Sequence, residues 1–131
     1  MSETLLTVDA VDVAYGSASV LHQVSLRVDP GEMVFIAGRN GAGKTTLLKT
    51  IAGFIPPAAG AVRLEGRDLR GIRPENVARL GVRYVFQDKR VFSKLTVREN
   101  LELAAYPSGE RMSDVIARMG SIYPAMEKFL D

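Results

Sequence analysis

Gly38-Arg39-Asn40-Gly41-Ala42-Gly43-Lys44-Thr45, or GRNGAGKT, is the stretch on which the reading of this sequence turns. It matches G-x-x-x-x-G-K-[ST], a pattern whose chemistry is the holding of phosphate. Its glycines let the backbone curl so that several N–H groups face one concavity that side chains would otherwise crowd. A helix starting at its end adds unpaired N–H groups and the positive end of a dipole. Lys44 suits the β- and γ-phosphates of a nucleotide, and the Thr45 hydroxyl suits Mg²⁺.

Working outward, Met33-Val34-Phe35-Ile36-Ala37 is a short apolar run that predicts a buried parallel strand. On the other side, Thr46 to Ala52 predicts a helix with Leu47, Leu48 and Ile51 on one face and Gly53 placed to end it. An accidental glycine-rich turn is the competing explanation. The chain's own residue frequencies put such a match at about 0.4%. The strand–loop–helix context lowers that further.

The 131 residues are one domain's worth of chain, 47% hydrophobic and 24% charged, which is ordinary for a folded protein. A net charge of +2 is too small to argue for nucleic acid as a partner. With no cysteine there is no disulfide, thiol nucleophile or thiolate-bound zinc, and one histidine, His22, cannot build a multi-histidine metal site. His22 is read as solvated or at a helix end. No secretory leader or membrane-spanning run is evident, so the expected location is cytoplasmic.

Alternation through Leu6, Val8 and Ala10, then Val11, Val13 and Tyr15, predicts a strand with a bulge near Ala10-Val11. Gly16 to Ser19 is turn material, and Val24, Leu26 and Val28 alternate in a second strand. Asp29-Pro30-Gly31-Glu32 signals a turn. Beyond the loop helix, Ile55 to Gly60 breaks the pattern, Ala61 to Glu65 alternates as a strand, and Pro74 to Leu80 can form a short helix. Arg67, Arg70 and Arg73 are interleaved with acidic and apolar residues and read as a solvated face. Gly81 to Phe86 reads as another strand, ending at Gln87. Thr96-Val97-Arg98-Glu99 fits a capping box that opens a helix to about Ala105, stopped by Tyr106 to Gly109. A second helix is expected over Glu110 to Met119, with Val115, Ile116 and Met119 on its apolar face and Gly120 at its end. Tyr123-Pro124 can open another.

In order, Tyr15-Gly16, Val24-Ser25-Leu26, Pro30-Gly31-Glu32, GRNGAGKTTLLKTIAGF, Val85-Phe86-Gln87 and Leu95-Thr96-Val97-Arg98-Glu99-Asn100-Leu101 form a set far more specific than the loop alone. The chain resembles the N-terminal half of the ATP-binding subunit of an ABC transporter. The segment Gln87 to Val97 looks most like the branched-chain amino-acid importers. The resemblance implies an α/β P-loop NTPase of ABC type, truncated. It would comprise an antiparallel β subdomain with part of a RecA-like core sheet over 1–87 and the start of a helical subdomain over 88–131. It implies ATP and Mg²⁺, with Gly38, Arg39, Asn40, Gly41, Ala42, Gly43, Lys44, Thr45 and Thr46 around the phosphates and Lys44 acting in catalysis. Tyr15 would stack on adenine; the competing reading of the residues alone is a strand-end aromatic in the core. Gln87 would reach Mg²⁺, beside Thr45, and the attacking water, through an amide that both donates and accepts. The segment after Gln87, with Val91 and Phe92 exposed, would meet a membrane permease, and a second ATP-binding subunit would pair head to tail. The protein would then lie peripherally at the inner face of the cell membrane.

The 131 residues contain no LSGGQ-type loop, no apolar strand ending in Asp-Glu, and no later switch histidine; His22 falls too early. Phosphoryl transfer needs these parts together, so the expectation is weak Mg-ATP binding with little hydrolysis. Incomplete burial of the parallel sheet would leave the isolated chain marginally stable or aggregating. The alternatives are a non-catalytic nucleotide-binding fragment and a soluble ABC protein of translation or DNA repair. GTPases fit poorly, since there is no N-K-x-D motif.

Overall fold

Val8, Val11 and Val13, all on one strand and each buried to 1% exposure or less, are the centre of the first of two compact units. A computed structural model describes residues 3–88 and 90–131. One unit ends at Tyr84 and the other is Val85–Asp131. Lys89, within the segment Gln87 to Val97, lies outside the described residues.

In the first unit, β1 (Leu6–Tyr15), β2 (Ala18–Val28), β3 (Ala59–Leu64) and β4 (Arg67–Asp68) form an antiparallel sheet in the order β2-β1-β3-β4. The expected bulge is present. Register shifts between Val8 and Val11, Ala10 has φ 45°, and its N–H donates to Ser25 Oγ at 2.8 Å. The shift is what puts Val8, Val11 and Val13 all on the core side. Only Gly16-Ser17 forms the β1–β2 turn, with Tyr15 paired to Ala18, so Ala18 and Ser19 belong to the strand rather than to the turn. His22 is likewise on β2, not at a helix end, with Nδ1 at 3.3 Å from Asp12. The β3–β4 turn, Glu65-Gly66, has positive φ at both residues (48° and 78°), as a type I′ hairpin requires.

Helix α1 (Lys44–Ile51) and α2 (Pro74–Arg79) complete the core, bringing Leu47, Ile51 and Val77 against Val8, Val62 and Leu69. Gly53, at φ 85°, ends α1 by a Schellman arrangement: its N–H donates to Thr50 C=O at 3.1 Å and that of Phe54 to Lys49 C=O at 2.9 Å. One face assignment is corrected. Leu48 is exposed, and Thr50 is buried in its stead, its hydroxyl satisfied by Thr46 C=O at 2.7 Å.

Two strand expectations are also corrected. Met33–Ala37 and Gly81–Phe86 join no ladder among the described residues, and Phe35 and Val85 are 87% and 91% exposed. An apolar run suited to a parallel strand becomes one only when neighbours on both edges take up its N–H and C=O groups. Tyr84 instead meets Phe54 edge to face, with ring centroids 5.6 Å apart.

The second unit is helical. Thr96 caps α3 (Val97–Ala105): its hydroxyl accepts from Glu99 N–H at 3.1 Å and its N–H donates to Glu99 Oε2 at 2.7 Å. A 3-10 turn over Tyr106–Ser108 follows, then α4 (Met112–Ile122) and a 3-10 turn over Pro124–Phe129. Helix α4 starts and ends later than its composition suggests. Gly120 lies inside it rather than at its end, facing the exposed Glu127 side chain. No helix among the described residues is long and apolar enough to cross a membrane.

Arg98 Nε donates to Asp131 Oδ1 at 2.9 Å, and this holds the Asp131 carboxyl below its ordinary pKa. Arg118, and after it Ser108, does the same for Glu110. Because these folded-state values are depressed, the contribution is present above the ordinary carboxylate range and is lost as pH falls through the lowered values. Both pairs are exposed, so the stabilisation is small. Carboxyl carbon titrations by NMR are expected to give midpoints below those of the unfolded chain. Arg98→Ala should return Asp131, and not Glu110, to the ordinary range.

Candidate nucleotide-phosphate site

The loop from Gly38 to Gly43 is bent by two glycines in the left-handed region, Gly41 at φ 85° and Gly43 at φ 100°. Ala42 N–H donates to Arg39 C=O at 3.1 Å and closes the turn between them. Gly43 is the N-cap of α1, and the first helical bond runs from Leu47 N–H to Gly43 C=O at 2.9 Å. The N–H groups of Lys44, Thr45 and Thr46 therefore precede the helical ladder, and no side chain caps them. No acidic residue stands in this first turn to repel an anion.

Lys44 folds back over the loop. Its Nζ donates to the carbonyls of Gly38 and of Arg39, the latter at 3.0 Å. Thr45, the next residue along, is exposed. The backbone under this mouth lies tightly on β2. A Cβ at Gly43 would come 2.8 Å from Leu21 Cδ2 and 3.2 Å from Val20 C=O. The donor set is thus three free N–H groups, an ammonium and a hydroxyl, on a loop too closely seated to carry a side chain at its N-cap. That set fits a chain of phosphates, with the Thr45 oxygen as this loop's ligand to a hard cation.

Tyr15 ends β1 and is 52% exposed, so its ring is not part of the core. It belongs to the same hairpin as Val20 and Leu21, on which Gly43 rests, with Val13 paired to Leu21. The structure therefore gathers Tyr15 and residues 38–46 in one unit. Gln87 belongs to the other unit, in an exposed bend. Among the described residues no group of three His, Asp or Glu side chains is arranged to hold a metal. Sequence reasoning missed the support from Val20 and Leu21. Alternation back from Val24 reaches Val20 but not Leu21, which is buried only because the strand changes phase at Gln23 (φ 47°), a break that no turn residue announces.

The family model for the ABC transporter matches residues 21–129, which include the loop, α1 and the segment after Gln87. The chain belongs to the ABC transporter family. Among curated relatives of this ABC transporter chain is the high-affinity branched-chain amino acid transport ATP-binding protein BraG of Pseudomonas aeruginosa. It is 42% identical over 102 residues, 78% of this chain and 44% of BraG. LivG of Escherichia coli, of the same description, is 38% identical over 81% of this chain and 42% of its own length. The spermidine/putrescine import ATP-binding protein PotA of Pseudomonas aeruginosa is 35% identical over 91% of this chain and 32% of PotA. A solved ATP-binding subunit of an ABC transporter superposes with a TM-score of 0.84 at 34% identity, covering 96% of this chain and 52% of that one. An ATP-binding cassette in its ADP conformation gives a TM-score of 0.73 at 29% identity, over 88% of this chain and 45% of that one. The chain thus spans less than half the length of the curated relatives it matches, and the P-loop NTPase fold of ABC type is shared with the solved cassettes.

Proposed function

We propose that this chain is the nucleotide-holding part of an importer's ATP-binding subunit, taking Mg-ATP in the loop 38–46. The observation that carries the proposal is the uncapped, acid-free start of α1 under Lys44. ATP with Mg²⁺ supplies the phosphoanhydride whose binding and cleavage drive transport in such a system. Gly38 to Gly43 shape the backbone concavity, and the N–H groups of Lys44, Thr45 and Thr46 donate to phosphate oxygens. Lys44 exchanges the loop carbonyls for the β- and γ-phosphates, Thr45 serves the cation, and Tyr15 offers its exposed ring to adenine. Gln87 is proposed as the second oxygen toward Mg²⁺ and the residue that orients the attacking water. The segment after it meets a membrane permease, and a second ATP-binding subunit pairs head to tail. Turnover needs a carboxylate base as well, and none follows an apolar strand within these 131 residues, so the property proposed for them is nucleotide binding. Branched-chain amino acids are the proposed solutes, on the higher identity to BraG and LivG than to PotA.

Lys44→Ala removes the ammonium and leaves the loop's backbone in place. Calorimetric titration with Mg-ATP is expected to show at least a tenfold weaker affinity, about 1.4 kcal/mol or more. Affinity equal to the parent chain's would sink the proposal.

A further inference from the structure

The carboxamide of Asn100, on α3, engages both sides of one residue in the preceding loop. Its Oδ1 accepts from Phe92 N–H at 2.9 Å while its Nδ2 donates to Phe92 C=O at 3.1 Å. Nδ2 also reaches Thr96 C=O at 2.9 Å and Leu95 C=O at 3.3 Å. Leu95 N–H returns to Phe92 C=O at 3.0 Å, and Thr96 is itself held by the capping box. The turn from Phe92 to Leu95 is therefore fixed to the first turns of α3. Only a carboxamide can do this, because it carries an acceptor and a donor pair side by side, as a peptide group does.

What this clamp holds outward is apolar. Val91 and Phe92 are 68% and 62% exposed, and Leu95 is exposed beside them, with Lys94 between. Fixing a loop costs conformational entropy, and here the large side chains gain no burial in return. A rigid aromatic with a flanking apolar residue is the form of a pre-organised anchor, whose ordering cost is met before association. A lipid surface needs no fixed orientation of one ring, so the clamp favours a protein.

We propose that Asn100 is a positioning residue that presents Phe92 as an anchor to a protein partner. That partner offers an apolar socket with an acidic group beside it for Lys94. The inference rests on the reading that the segment after Gln87 meets a membrane-embedded transport subunit, and it names the residues that make that contact.

The test uses the full chain with Asn100→Ala, Phe92→Ala and the double variant. Three readouts are taken: amide exchange at Phe92, Mg-ATP affinity, and binding to detergent-solubilised membrane subunits of a branched-chain amino acid importer. Asn100→Ala is expected to speed Phe92 exchange at least tenfold in the free chain. Each single variant should weaken partner binding at least tenfold with Mg-ATP affinity unchanged. The double variant should bind no worse than Phe92→Ala, since the clamp acts through the anchor. If Asn100→Ala does not fold, Asn100→Asp, which keeps the acceptor and loses the donors, is read the same way. Unchanged Phe92 exchange, or normal partner binding by Asn100→Ala when Phe92→Ala is impaired, overturns the clamp alone. Failure of the parent chain to bind the subunits, or normal binding by Phe92→Ala, overturns the docking reading itself. Parent binding to phosphatidylethanolamine–phosphatidylglycerol vesicles that Phe92→Ala abolishes overturns the protein socket in favour of lipid.

Discussion

Gly60→Ala is expected to destabilise the first unit by about 3 kcal/mol or more, a large part of the ~5–15 kcal/mol that holds a typical domain together. Gly60 lies on β3 at φ 78°, where a Cβ would stand 2.3 Å from Ala10 C=O and 2.4 Å from Asp9 C=O. The obstruction is backbone, and it belongs to β1, which is paired to β2 on one side and β3 on the other. Neither strand can yield without breaking a ladder that encloses Val8 and Val11. Gly66 supplies the control, because it has the same φ of 78° but nothing within 4 Å of where a methyl group would stand. Gly66→Ala should therefore cost only the backbone strain, about 1 kcal/mol. Pulse proteolysis across a urea gradient compares the two. Equal destabilisation would show that the close approach at the bulge contributes nothing.

Gly43→Ala is expected to weaken Mg-ATP binding about 100-fold, ~2.8 kcal/mol. The residue is at φ 100°, and its Cβ would press on Leu21 Cδ2 at 2.8 Å and on Val20 C=O at 3.2 Å. Val20 C=O is backbone and cannot turn aside as Leu21 Cδ2 can, so the methyl presses the loop away from β2 and disturbs the N–H groups of Lys44, Thr45 and Thr46. Gly41→Ala separates strain from contact, since Gly41 also has positive φ, 85°, yet nothing within 4 Å. Its effect on affinity should be about tenfold or less. Calorimetric titration of both variants, beside their unfolding curves, tells a distorted loop from an unfolded unit. Equal losses at Gly41 and Gly43 would mean that the seat on β2 has no part in shaping the site.

The features that were legible in the chain are those whose cause is local. Thr96 and Glu99 are three residues apart and cap α3 reciprocally, whatever the rest of the molecule does. Gly53 ends α1 because a left-handed residue at that point lets its own N–H and that of Phe54 take up two final carbonyls. The double apolar phase in β1 announces its bulge, since a single alternation cannot put Val8, Val11 and Val13 on one face. The shape of the loop 38–43 is local in the same sense, because the directions of its backbone N–H groups are set by Gly41 and Gly43.

Everything that depends on a second segment arriving was set by long-range packing. Met33 to Ala37 and Gly81 to Phe86 have the composition of buried strands, but ladder pairing is a property of neighbours, and these runs have none among the described residues. Leu48 and Thr50 exchange burial because the packing direction of α1 is set by Val62 and Leu69 rather than by its own apolar count. Gly60 is ordinary turn material in sequence and becomes a steric necessity only where β3 crosses the bulge of β1. Asn100 is one polar residue in a helix until the turn at Phe92 folds back on it. Legible from the residues alone was the geometry of the loop, a glycine turn running into a helix start under a lysine, because that geometry is short-range; phosphate is the ligand proposed for it. Which residues brace that loop, and which residue holds the Phe92 turn, are long-range contacts that only the folded chain creates.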